Sequence, residues 1–169
     1  MMLKIPEESL LNNQHFDYGD SFVKEFIHKD QNLNSGQIGK LFFTSSSTWI
    51  KKLFSLRNRI VKIFGLKIPE GQNEHAKDLK YEPGDQIGLF KIFHKTHNEI
   101  IIGEDDSHLN FRVSLLLDDH NLLNKKRKLT ITTLVQYNNW WGKLYFFPVK
   151  PFHKIIVASK INAIIKNLE

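Results

Sequence analysis

Gln86–Leu117 reads QIGLFKIFHKTHNEIIIGEDDSHLNFRVSLLL, and this stretch decides the fold. Apolar residues recur at about every second position, the period of a strand whose alternate side chains face a core. Two polar interruptions, Thr96-His97-Asn98 and Glu104-Asp105-Asp106-Ser107, divide it into strands over Gln86–Lys95, Glu99–Gly103 and His108–Leu117. Turns this short force antiparallel pairing. Beyond a loop at 118–124, Lys125–Tyr137 (KKRKLTITTLVQY) is rich in β-branched residues and reads as another strand. Asn138–Gly142 (NNWWG) reads as a turn and Lys143–Val149 (KLYFFPV) as a last strand, with Pro148 placing its end at an edge or an exit. Upstream, Phe16–Ile27 (FDYGDSFVKEFI) alternates as a first strand with a bend near Gly19.

Helical periods lie on either side of this ladder. Pro151 suits the first turn of a helix, and Phe152–Leu168 (FHKIIVASKINAIIKNL) carries a wide apolar face that a sheet should cover. Ser35 reads as the N-cap of a short helix through Gln37–Phe43. The hydroxyl run Thr44–Thr48 caps a second, in which Trp49, Leu53, Leu56, Ile60 and Phe64 recur at spacings of three and four before Gly65. Residues 68–84 form a long polar connection, and residues 1–14 read as a loosely held N-terminus. The sum is one α+β domain over 1–169. A curved antiparallel sheet of about six strands wraps a long C-terminal helix, with two short helices after the first strand.

Composition excludes several function classes. The chain has no cysteine, so it has no disulfide framework, thiolate nucleophile or cysteine-ligated metal. No apolar run approaches the roughly 18 residues of a membrane span, and the N-terminal segment lacks a signal-peptide core, so a soluble cytoplasmic protein is expected. The net charge of +6 is unevenly placed: residues 1–70 carry +3, residues 71–120 carry −5 and residues 121–169 carry +8. Acidic and basic blocks on neighbouring antiparallel strands would face each other. Lys125-Lys126-Arg127-Lys128 therefore reads as a solvated strand start, and no specific nucleic-acid partner is expected. His94 and His97 lack further ligands at metal-site spacing, so no metal is expected. Neither a Gly-x-Ser-x-Gly elbow nor a Gly-x-Gly-x-x-Gly cofactor loop occurs, and no cofactor is expected.

Several side chains carry possible chemistry beside a plain structural reading. On a strand, His108, Asn110, Arg112 and Ser114 share one face, and Leu109, Phe111, Val113 and Leu115 the other. The polar set either meets water or brings Arg112 and His108 to a cavity mouth, where the guanidinium would hold a carboxylate or phosphate. His153 either bonds a neighbouring strand or lines the cavity. Of Trp140 and Trp141, one is expected inward and one partly exposed.

The element order is similar to the helix-grip fold of the START and birch-pollen-allergen superfamily (SRPBCC). The strings Gly103-Glu104-Asp105-Asp106-Ser107-His108-Leu109-Asn110-Phe111-Arg112, Thr132-Thr133-Leu134-Val135, Gly142-Lys143-Leu144-Tyr145-Phe146 and Val149-Lys150-Pro151-Phe152-His153-Lys154-Ile155-Ile156-Val157 resemble a bacterial family, domain of unknown function 2867. Trp49-Ile50, Leu56-Arg57-Asn58 and Gly65-Leu66 resemble its early helix, and the likeness runs from about Phe16 to Ile165. It implies a fold and assigns no catalytic residue. The expectation is a protein that binds a small hydrophobic or amphipathic molecule between sheet and terminal helix, an anionic end suiting the net charge. The expected lining is Trp49, Phe93, His108, Phe111, Arg112, Tyr145 and His153. Two alternatives stand beside it. One is a cyclase- or dehydratase-like enzyme with His108 or His153 as base, oriented by Asp105 or Asp106. The other is an interaction module for a dehydrogenase-like protein. The oligomeric state stays open.

Overall fold

The computed structural model of the protein describes residues 5–28, 30, 32–45, 80–87, 90–121 and 126–168. Its six strands are β1 (Tyr18–Ile27), β2 (Gln86–Ile87), β3 (Phe90–Lys95), β4 (Glu99–Asp105), β5 (Leu109–Asn121) and β6 (Lys126–Tyr137). They form one antiparallel sheet in the order β1-β6-β5-β4-β3-β2. Helix α1 (Ser35–Thr44) follows β1, and helix α2 (Trp140–Lys166) closes the described chain. The second expected helix, with Trp49, falls outside the described residues.

The fold class is as expected, but three elements differ from the sequence reading. Gln86–Lys95 is a hairpin of β2 and β3, with Ile87 paired to Phe90, rather than one strand. The glycine at position 88 of the sequence was the cue, since glycine inside a strand pattern marks a reversal or bulge. Pairing of β1 runs unbroken from Tyr18↔Val135 to Ile27↔Lys126, so Gly19 does not interrupt it. The largest difference is at 140–149, where the expected turn and strand are the first turns of α2. Asn139 supplies the N-cap, its Oδ1 accepting from the Gly142 amide at 3.1 Å. The helix thus starts eleven residues before Pro151 and holds Pro148 and Pro151 inside it. Each proline removes one backbone donor, to the carbonyls of Leu144 and Phe147 respectively.

The start of α2 is fastened to the β4–β5 turn. The Asn138 side chain donates to the Asp106 carbonyl at 2.6 Å, and that of Asn139 to the Ser107 carbonyl at 3.0 Å. Gly142 lies so close to the His108 carbonyl that a Cβ would sit 2.1 Å from that oxygen. Only glycine permits this approach. Helix α1 is capped by Asn34, one residue before the expected Ser35, in a reciprocal capping box with Gln37.

Alternation sorts the sheet into two faces. Phe22, Phe26, Ile92, Ile100, Ile102, Val113, Leu115, Leu117, Leu129 and Ile131 form the main core with Ile38, Phe42 and Phe43 of α1 and Val157, Ile161, Ile164 and Ile165 of α2. The opposite face is also covered. Leu11, with Ile5 and Phe16, packs on Ile101, Leu134 and Phe93. Buried Glu99 latches this segment, accepting from the Ser9 hydroxyl at 2.6 Å and the Leu10 amide at 2.8 Å, with the Ser114 hydroxyl as a third donor. The N-terminal segment from residue 5 is therefore a packed strap rather than a loose end. The runs Ile100-Ile101-Ile102 and Leu115-Leu116-Leu117 signalled burial on both faces. The expected charge pairing across β5 and β6 occurs at Asp118 and Lys128, 2.5 Å apart.

Candidate functional site

β1 turns Tyr18, Asp20, Phe22 and Phe26 toward the helices, with Lys24 on the same side reaching Asn162, so an acid sits among three aromatic rings. Asp20 is nearly enclosed there and holds two partners. The Tyr18 hydroxyl donates to Oδ2 at 2.5 Å, and His153 of α2 places Nε2 3.3 Å from Oδ1. Phe146, seven residues before His153 and so on the same helix face, packs its ring on Tyr18 at 4.9 Å and on Tyr137 at 6.0 Å. Lys150 sets its ammonium 4.6 Å above the Tyr18 ring, within cation–π range. Leu109, Val135, Tyr145 and Val149 complete the apolar surround.

This environment perturbs two of the groups. Burial would raise the Asp20 carboxyl, but the hydrogen bond and charge of His153, the Tyr18 hydroxyl and the charge of Lys154 together hold it below its ordinary value. The Tyr18 phenol is pushed well up, first by burial and then by the Asp20 carboxylate it bonds. Carboxylate and phenol therefore stay ionised and protonated respectively at neutral pH. An imidazole held by a carboxylate is the pair used for proton transfer, and the same groups can bind a polar headgroup.

The seven expected lining residues lie in separate places. His153, Phe111 and Tyr145 lie on the helix-covered side, at or beside the Tyr18–Asp20 cluster. Arg112 and Phe93 lie together on the strap-covered face. The guanidinium stacks 3.6 Å over the Phe93 ring, pairs with Asp105 at 2.8 Å and donates to the carbonyls of Glu104 and Phe111. Arg112 thus lines a small cleft of about 80 Å³ with Gln14, His15, Asn110, Phe111, Leu134 and Gln136. Its even register position on β5, opposite Gly103 of β4, sends it there. His108 sits in the β4–β5 turn, with Nδ1 3.3 Å from the Asn139 side chain. Trp49 lies outside the described residues. Trp140 and Trp141 stack on each other at 4.0 Å and are both exposed, so neither plugs the core.

Sequence reading missed Tyr18, Asp20 and Lys150. The available signal was the acid at the centre of Tyr18-x-Asp20-x-Phe22, on the apolar face of an alternating strand. Among the described residues no group of three acid, histidine or cysteine side chains could hold a metal ion. None of the described helices is long and apolar enough to cross a membrane.

Searches of curated proteins and of solved structures each found no match. The model of the family described as protein of unknown function (DUF2867) matches residues 13–160, from the strap into the buried half of α2. That span holds β1, the whole sheet and His153, and the chain therefore belongs to this family.

Proposed function

We propose that the protein binds a small amphipathic molecule with an anionic end, seated between the sheet and α2 on the β1 side. The observation that supports this reading is the Tyr18–Asp20–His153 chain in an apolar seam. Burying charged partners costs desolvation that an apolar seam of the same shape would avoid, so stability alone gives little reason for them. Lys150 and Lys154 beside the cluster suit a carboxylate or phosphate headgroup. The likeness in element order to helix-grip proteins of the START and birch-pollen-allergen kind supports a site between sheet and terminal helix.

A second reading is favoured by the His153–Asp20 contact: an acid–base enzyme of the cyclase or dehydratase type. His153 would take and return the proton, and Asp20, rather than Asp105 or Asp106, would orient the ring.

The test is native mass spectrometry of protein purified from its host, with Asp20→Asn and His153→Gln alongside. A bound small molecule retained by the wild type and lost from both variants is expected. A ligand-free wild type whose melting temperature also fails to respond to a panel of long-chain carboxylates and phosphates would refute the reading. Turnover of the captured molecule by wild type but not His153→Gln would select the enzyme.

A further inference from the structure

The first four turns of α2 are apolar on the side facing away from the sheet. At 100° per residue, Trp140, Trp141, Leu144, Phe147, Pro148, Pro151, Phe152 and Ile155 fall within one arc of about 140°. Gly142, Phe146 and Val157 lie outside this arc and point the opposite way, into the sheet. The arc is open to solvent: Phe147 is 79% and Trp140 63% exposed, and Leu144, Phe152 and Ile155 are exposed too. It runs about 24 Å along the helix and stops there, since Asn162 and Lys166 take the same side further on. An isolated exposed leucine needs no explanation, but a contiguous aromatic face does.

Charge indicates what covers it. Lys143, Lys150 and Lys154 line one flank of the arc, and α2 contains no acidic residue. An antiparallel second copy on this face would set lysine row against lysine row. Lipid phosphates would answer those lysines, while the indoles sit at headgroup depth, where aromatic rings with one polar end are favoured, and Phe147 enters the acyl boundary. We propose that this face docks on an anionic bilayer surface, with α2 lying in the plane of the interface.

The experiment is co-sedimentation of the full chain with vesicles of phosphatidylcholine alone and of phosphatidylcholine with phosphatidylglycerol at three to one. Binding to the anionic vesicles only, weakened by salt and accompanied by a blue shift of tryptophan emission, is expected. Leu144→Ser with Phe147→Ser should weaken it at least about tenfold, since both side chains lose their burial in lipid. Lys143→Gln with Lys154→Gln should weaken it and reduce its salt dependence. Should the serine variant fail to fold, the lysine variant and the salt series decide. Failure to sediment with anionic vesicles overturns the proposal, as does binding that both variants leave unchanged. A wild-type dimer that Phe147→Ser converts to monomer, without vesicle binding, would instead assign the face to self-association. The serine variant changes no residue of the Tyr18–Asp20–His153 cluster or its lysines, so its result is independent of whether that cluster holds a ligand.

Discussion

Replacing Lys160 by methionine should make the protein more stable at neutral pH and flatten its response to alkali. Lys160 is almost fully buried in α2, and its amine reaches the Phe42 carbonyl at 2.5 Å, one of the four that end α1. The Phe42 ring lies 5.2 Å from the amine. Burial lowers the amine from 10.5 to about 8. The unfolded chain therefore binds a proton between about pH 8 and 10.5 that the folded chain has released, and stability must rise with pH across that window. The displacement corresponds to about 3 kcal/mol lost at pH 7 relative to the neutral amine, of which about 2 kcal/mol returns by about pH 9.5. Methionine is one heavy atom shorter and loses the charge-assisted hydrogen bond to the carbonyl, worth about 2 kcal/mol. Lys160→Met should thus gain about 1 kcal/mol at pH 7, or roughly 2–4 °C in melting temperature for a chain of this size. Urea melts followed by circular dichroism from about pH 7 to 9.5 measure both proteins, and their difference cancels the groups they share. The gap should shrink steadily as pH rises. Parallel curves for the two proteins would refute the reasoning.

Three further outcomes follow from the contacts. Glu99→Ala removes the acceptor for Ser9, Leu10 and Ser114, and should cost about 2–3 kcal/mol in urea melts while amides of residues 9–14 exchange faster. Unchanged exchange in the strap would show that Glu99 does not hold it. Gly142→Ala puts a methyl group against the His108 carbonyl and should destabilise by about 1–3 kcal/mol, whereas Gly84→Ala meets no atom within 4 Å and is opposed only by its positive φ of 99°. Equal melting of Gly142→Ala and wild type would mean that α2 begins elsewhere. Asp20, with its lowered carboxyl, contributes stability that is present above its unfolded value of about 3.8 and disappears as pH falls through the lower folded value. Acid titration of stability should therefore be shallower in Asp20→Asn than in wild type, and identical acid limbs would exclude the contribution.

The sheet was legible because period two is a local property: β4, β5 and β6 can be read residue by residue from their alternation. The helix at 140–149 was not, because its apolar residues surround the axis. With Phe146 facing the sheet and Leu144, Phe147 and Trp140 facing outward, no single stripe marks a helix, and two prolines argue against one. Its true start lay in Asn139, an N-cap that was read as part of a turn. The site was partly legible. His153 stood out as a polar group on an apolar helix, but its partner lies 133 residues away and no local pattern joins them. Arg112 was placed on the correct strand and its alternation sets the side of the sheet; what was not legible is that the strap covers that side, since its docking depends on a buried glutamate distant in sequence.

The strand order has a consequence for when the protein becomes competent. β2 to β6 form a plain meander whose neighbours are joined by short connections, while β1 waits for β6, more than a hundred residues later. Distant pairings are entropically the slow ones. Tyr18 and Asp20 arrive with β1, so the cluster they form with His153 is complete only once this distant pairing has closed. An intermediate consisting of the meander alone would possess most of the sheet and none of this chemistry, which makes the cluster an all-or-nothing reporter that maturation of the chain is complete.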